Sequence, residues 1–127
     1  MPPVLDVEAI ERESTTAAIS DVVEYLQEHL GGQTVAYLSG LKDTQMLRRW
    51  KDGVEPQSMV KRRLRCAYQA TRMLVETFDD DTAEAWFFGS NSKLDDEAPA
   101  RVLRIAGSFD DLRLIVPAAK AFSRAPE

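Results

Sequence analysis

The sequence is short of the side chains that metal sites and covalent catalysis draw on. Its 127 residues hold one histidine, His29, and one cysteine, Cys66. A zinc site needs three or four His, Cys or acidic ligands held together, so no metal site is expected. A lone cysteine makes no internal disulfide, and a reducing, cytoplasmic compartment is the expectation. The six glycines form no phosphate-cradling loop, and there is no Gly-x-Ser-x-Gly elbow. Adjacent acids such as Asp95 and Asp96 ordinarily face water rather than act as acid and base. Neither a cofactor nor an enzymatic activity is therefore expected. Apolar runs stay well below the ~20 residues that cross a bilayer, so no membrane partner is expected. The opening MPPVLDVEAIERE lacks the basic start and apolar centre of a signal peptide.

What remains is an ordinary globular composition, 44% hydrophobic and 29% charged, in a chain the length of one domain. Charge is abundant but uneven. Between Lys42 and Arg72 nine basic residues face three acids, a local +6 within a chain of net charge −5. The rest of the molecule then carries −11. A basic middle in an acidic chain suggests a local anion-binding face, with a solvated helix surface as the plainer alternative.

Periodicity reads as all-α, with no strand pattern and no repeat. Residues 1–13, acidic and with Pro2 and Pro3, are expected to fray. Ile19, Val22, Val23, Leu26 and Leu30 recur at spacings of three and four, an amphipathic helix that Gly31 and Gly32 end. A short helix over 33–39 stops at Gly40. Asp43 or Thr44 then caps a second short helix through Trp50 or Lys51.

Two short helices joined at a glycine, the second rich in arginine, make a helix-turn-helix pattern. Trp50 lies rather far beyond Gly40 for that motif, and a plain helical hairpin is the competing reading. Val35, Ala36, Leu41, Leu47 and Trp50 are placed to pin the pair. Thr44, Gln45, Arg48, Arg49 and Lys51 then face outward, where Arg and Gln suit base edges and Lys and Thr suit phosphates.

A long helix over 58–78 follows, its inner stripe read as Val60, Leu64, Ala67 or Tyr68, Leu74 or Val75, and Phe78. Lys61, Arg62 and Arg63 at its start are candidate DNA contacts beside the shorter helix. Asp81 or Thr82 is expected to cap the helix TAEAWFFG. Residues 89–93 read as a loop, with Leu94 tucked inside and Pro99 opening another helix. A last helix begins at Ser108 or Asp110, with Pro117 kinking or interrupting it.

The stretch AWFFGSNSKLDDEAPARVLR concentrates aromatics, three of the chain's ten standing side by side at Trp86, Phe87 and Phe88. Helix neighbours lie about 100° apart, so the three cannot share one direction. At least one of Phe87 and Phe88 is therefore a candidate contact. The stretch resembles the signature of the Xre/MbcA/ParS-type antitoxins' toxin-binding domain: a Trp-Phe helix end, a Gly-x-Asn loop, then Leu-Asp and a Pro. Trp86, Gly89, Asn91, Leu94, Asp95 and Pro99 match it, while Ser92 stands where members often carry Pro. As signature residues that hold a fold, Trp86 and Leu94 are expected in the core. Upstream, VAYLSGLKDTQMLRRWKDG resembles the helix-turn-helix of the same proteins, and the similarity runs from about Val22 to Phe122.

The resemblance implies an all-α fold, with a helix-turn-helix N-terminal half packed on a small helical C-terminal domain. Its expected divisions are 1–13, 14–64 and 65–127. It implies an antitoxin that covers the active site of a RES-domain, NAD⁺-degrading toxin and represses its own operon by binding operator DNA. Such a chain would work as a homodimer or within a larger toxin–antitoxin complex. The toxin-binding candidates are Trp86, Phe87, Phe88, Gly89, Asn91, Lys93, Arg104, Arg113 and Phe122. The alternatives are a stand-alone helix-turn-helix regulator without a toxin, and an adaptor that has lost DNA binding.

Overall fold

The computed structural model describes residues 5–124. Among them the chain is all-helical. Eight α-helices run in the order α1 (Val7–Thr16), α2 (Ile19–Leu30), α3 (Gly32–Ser39), α4 (Gln45–Lys51), α5 (Ser58–Thr77), α6 (Asp80–Phe88), α7 (Pro99–Ile105) and α8 (Ile115–Arg124). Two 3-10 turns, Ser92–Leu94 and Asp110–Leu112, fill the gaps.

The fraying expected of residues 1–13 is corrected from Val7 onward; residues 1–4 lie outside the described residues. Helix α1 forms because Asp6 caps it, its carboxylate accepting the Ala9 N–H at 3.0 Å. Ile10 is buried, and Glu13 pairs with Arg72 of α5. An acidic composition concealed one apolar anchor and one long-range ion pair.

Helix α5 is the hub. Helices α1, α2, α3, α6, α7 and α8 all pack on it. Its buried stripe is Leu64, Ala67, Tyr68, Ala70, Thr71, Met73 and Leu74. Phe78, expected inside, is exposed: it follows the last helical turn and packs its ring on Phe122 at 5.4 Å. Helices α3 and α4 both lean on α2. Gly31 and Gly40, with φ of +85° and +92°, break the chain between α2, α3 and the turn that leads to α4.

Asp79, rather than Asp81 or Thr82, caps α6, accepting the Thr82 N–H at 2.7 Å. The last helix starts later than expected, at Ile115 after the 3-10 turn. Pro117 therefore sits in its first turn and interrupts nothing, because the first residue that must donate along the helix is Ala118, bonded to the Leu114 carbonyl at 3.0 Å.

One continuous apolar core joins Val22, Leu26, Val35, Leu47 and Trp50 to Leu74, Trp86, Phe87, Leu103 and Ile115. The expected 64/65 boundary falls inside α5, a single 20-residue helix.

Candidate interaction surfaces

Three surfaces gather the residues singled out from the sequence. The first is the outer face of α4. Leu47 and Trp50, three apart, turn inward and are buried. That rotation leaves Thr44, Gln45, Arg48 and Arg49 exposed and Lys51 half-buried. Among the described residues no carboxylate pairs with Arg48, Arg49 or Lys51.

Arg63 does not belong to that face. Its guanidinium turns inward, donating from Nη1 to the Ser39 carbonyl at 3.1 Å and from Nη2 to the Ala106 carbonyl at 2.8 Å. Burial, and then the neighbouring Arg104 charge, lower its pKa. Arg104 is likewise a fastener rather than a surface contact. Its Nη1 donates to the carbonyls of Tyr37 and Leu41 at 2.7 and 3.0 Å, and its guanidinium lies 4.7 Å from the Tyr37 ring centre. The two arginines tie α5 and α7 to the end of α3 and the turn before α4.

The second surface surrounds the aromatic triplet. Trp86 is 6% exposed, Phe87 0% and Phe88 48%. Phe87, expected as a contact, is core: it packs edge-on against Trp86 with ring centres 5.0 Å apart. Phe88 points out, 5.9 Å from Tyr37.

Asn91 shapes the loop that follows. Its Oδ1 accepts the Lys93 N–H at 3.0 Å, and its carbonyl accepts the N–H groups of Leu94 and Asp96 at 2.9 Å. The Ser90 hydroxyl donates to the Asp96 carbonyl at 2.9 Å. Asp95 and Asp96 both take positive φ, a conformation short polar side chains tolerate. Leu94 is buried beneath, and Lys93 is exposed.

This tight loop opens a groove of about 440 Å³ between α6 and α8. Trp86, Gly89, Asn91 and Phe122 line it, along with Asp81, Thr82, Ala85 and Ser90. The Trp86 indole N–H is buried without an acceptor among the described residues. Lys93, Arg104 and Arg113 do not line this groove.

The third surface joins cations that lie far apart in the sequence. Lys61 and Arg62 meet Arg113 and Arg65 around a groove of about 570 Å³. Phe109, unnoticed in the sequence because no helical stripe includes it, is exposed there beneath Arg62, 4.3 Å from guanidinium to ring centre. Cys66 lines the same groove. Burial pushes its thiol up to about 12 despite the opposing Arg62 charge, which favours the protonated form. No cluster of three or more His, Cys, Asp or Glu able to hold a metal occurs among the described residues. No described helix is long and apolar enough to cross a membrane.

Compared with protein-family profiles, with curated proteins and with solved structures, the chain matches none.

Proposed function

We propose that this protein is an antitoxin of a type II toxin–antitoxin pair. Its α6–α8 half docks on a RES-domain toxin and closes the entrance to the toxin's NAD⁺ site. Helices α3 and α4 act as a helix-turn-helix on operator DNA, with Arg48, Arg49, Thr44 and Gln45 reaching the duplex, most simply as a dimer on two half-sites. The resemblance of AWFFGSNSKLDDEAPARVLR to the antitoxin signature suggests the class.

The observation that carries the reading is convergence. Trp86, Gly89, Asn91 and the distant Phe122 come together in one groove. An exposed aromatic, Phe122, at the edge of an apolar groove suits a partner that brings an apolar side chain. The free cations on α4 support the DNA half of the proposal.

Co-expression with a RES-domain toxin encoded beside it is the test. The antitoxin should restore growth, and Phe122→Asp should abolish rescue while the chain remains folded. Arg48→Ala with Arg49→Ala should still rescue growth but lose the operator footprint. Failure of the unaltered chain to rescue would overturn the reading. A footprint without rescue would leave a stand-alone regulator.

A further inference from the structure

The groove around Lys61, Arg62, Arg65 and Arg113 lies between the end of α1, the start of α5 and the 3-10 turn before α8. No residue of α4 lines it, and it shares no lining residue with the Trp86 groove, so it is distinct from the α4 face and from that groove. Four cations line it and no carboxylate does. Their counter-charges come from outside. Glu55 holds Lys61 at 2.8 Å and Asp110 holds Arg113 at 3.1 Å, each carboxylate well exposed. Exposed pairs of this kind are weak and give way readily to a stronger anion.

Arg62 and Arg65 have no carboxylate partner among the described residues. Arg65 is already held in place, its Nη1 donating to the Ser14 and Ala17 carbonyls at 3.0 and 2.7 Å, while the exposed Arg62 lies over Phe109. A guanidinium fixed beforehand loses little entropy on binding, and its planar fork matches phosphate oxygens. The rest of the lining includes Phe109, Leu112 and Val116, an apolar wall of no use to a bare phosphate ion. A volume of about 570 Å³ suits a small molecule rather than a single ion.

We propose that this groove binds a phosphorylated small molecule of nucleotide size. Its phosphates rest on Arg62, Arg65, Lys61 and Arg113, and its ring lies against Phe109, Leu112 and Val116. Phosphates of a DNA backbone share the first half of that chemistry but not the second.

Calorimetric titration of the full chain with ADP, pyrophosphate, adenosine and a short duplex DNA separates the cases. ADP should saturate one site, and pyrophosphate and adenosine should each bind more weakly. Arg62→Ala combined with Arg113→Ala should weaken ADP about tenfold or more, the scale of lost charge-assisted hydrogen bonds. Arg101→Ala, an exposed arginine paired with Glu97 outside the groove, should leave ADP binding unchanged. Circular dichroism checks folding, and Lys61→Ala, which removes only a half-exposed side chain, gives the same reading if the double variant fails to fold. Absence of saturable ADP binding at millimolar concentration would overturn the proposal. So would ADP binding indifferent to the double variant and to Lys61→Ala, or pyrophosphate binding as tightly as ADP. Duplex binding that depends on Arg62 and Arg113 without any ADP binding would assign the groove to a nucleic-acid backbone instead.

Discussion

Phe87 and Phe88 are adjacent in sequence and opposite in consequence. Phe87 is enclosed between α6 and the rest of the core, whereas Phe88 is half in solvent. Phe87→Ala should cost ~3–5 kcal/mol in urea unfolding, the usual penalty for emptying a buried aromatic site. Phe88→Ala should cost less than ~1 kcal/mol, as exposed positions usually do. Equal losses would mean that Phe88 packs more tightly than its exposure indicates. Asp79 supplies a titration handle. Thr82, through its side chain and then its backbone N–H, holds the Asp79 carboxylate below its ordinary pKa. A pKa lowered by folding favours the native state above the unfolded carboxylate's range. That advantage disappears as pH falls through the folded value. Asp79→Asn keeps a cap that does not titrate, so its stability should fall less between neutral pH and pH 3 than that of the parent. A parallel loss in both proteins would show that Asp79 does not contribute.

At the level of elements, what could be read from the sequence was whatever depended on near neighbours. The stripe of α2, the stop at Gly40 and the inward Trp50 follow from spacing alone. Leu94, a lone apolar side chain between polar loop residues, follows likewise, whereas the burial of Trp86 was expected from the family signature, because spacing alone does not separate it from the exposed Phe88. Arg63 and Arg104 fasten helices instead of making the expected contacts, and their acceptors lie far along the chain, 24 residues away at Ser39 and 67 at Tyr37. Nothing local distinguishes an arginine that fastens two helices from one that faces a ligand. The third groove is not legible locally for the same reason: its cations come from α5 and from the turn before α8, about 50 positions apart. The fastening can be tested at Gly40. Its φ is +92°, and a Cβ there would lie 3.0 Å from Arg63 Nη1. Gly40→Ala should cost ~1–2 kcal/mol from backbone strain alone. Arg63→Ala should cost ~1.5–3 kcal/mol from its lost charge-assisted bonds. Because both changes disturb the same contact, the double variant should lose less than the sum of the two. Full additivity in chemical unfolding would separate the turn from the arginine.

The described residues are arranged around α5, on which six of the other helices pack. The basic first half of the helix carries the cations, and its second half holds the core of the aromatic region. The helices of the proposed toxin surface, α6 and α8, pack on α5 directly, whereas α4, proposed for DNA, packs on α2, which in turn packs on α5. The apolar core passes through the expected 64/65 boundary without a gap. Trp50 and Trp86 report from opposite sides of it, both buried. Trp86→Phe leaves Trp50 as the only indole, and Trp50→Phe leaves Trp86. If the core is continuous, each variant should give one fluorescence transition in urea that coincides with its own loss of helical circular dichroism, the signature of all-or-none unfolding. Two separate transitions in either variant, one by fluorescence and another by circular dichroism, would show that the halves unfold independently. Such a result would also mean that the surfaces proposed for DNA and for a toxin share no common element through which one could bias the other.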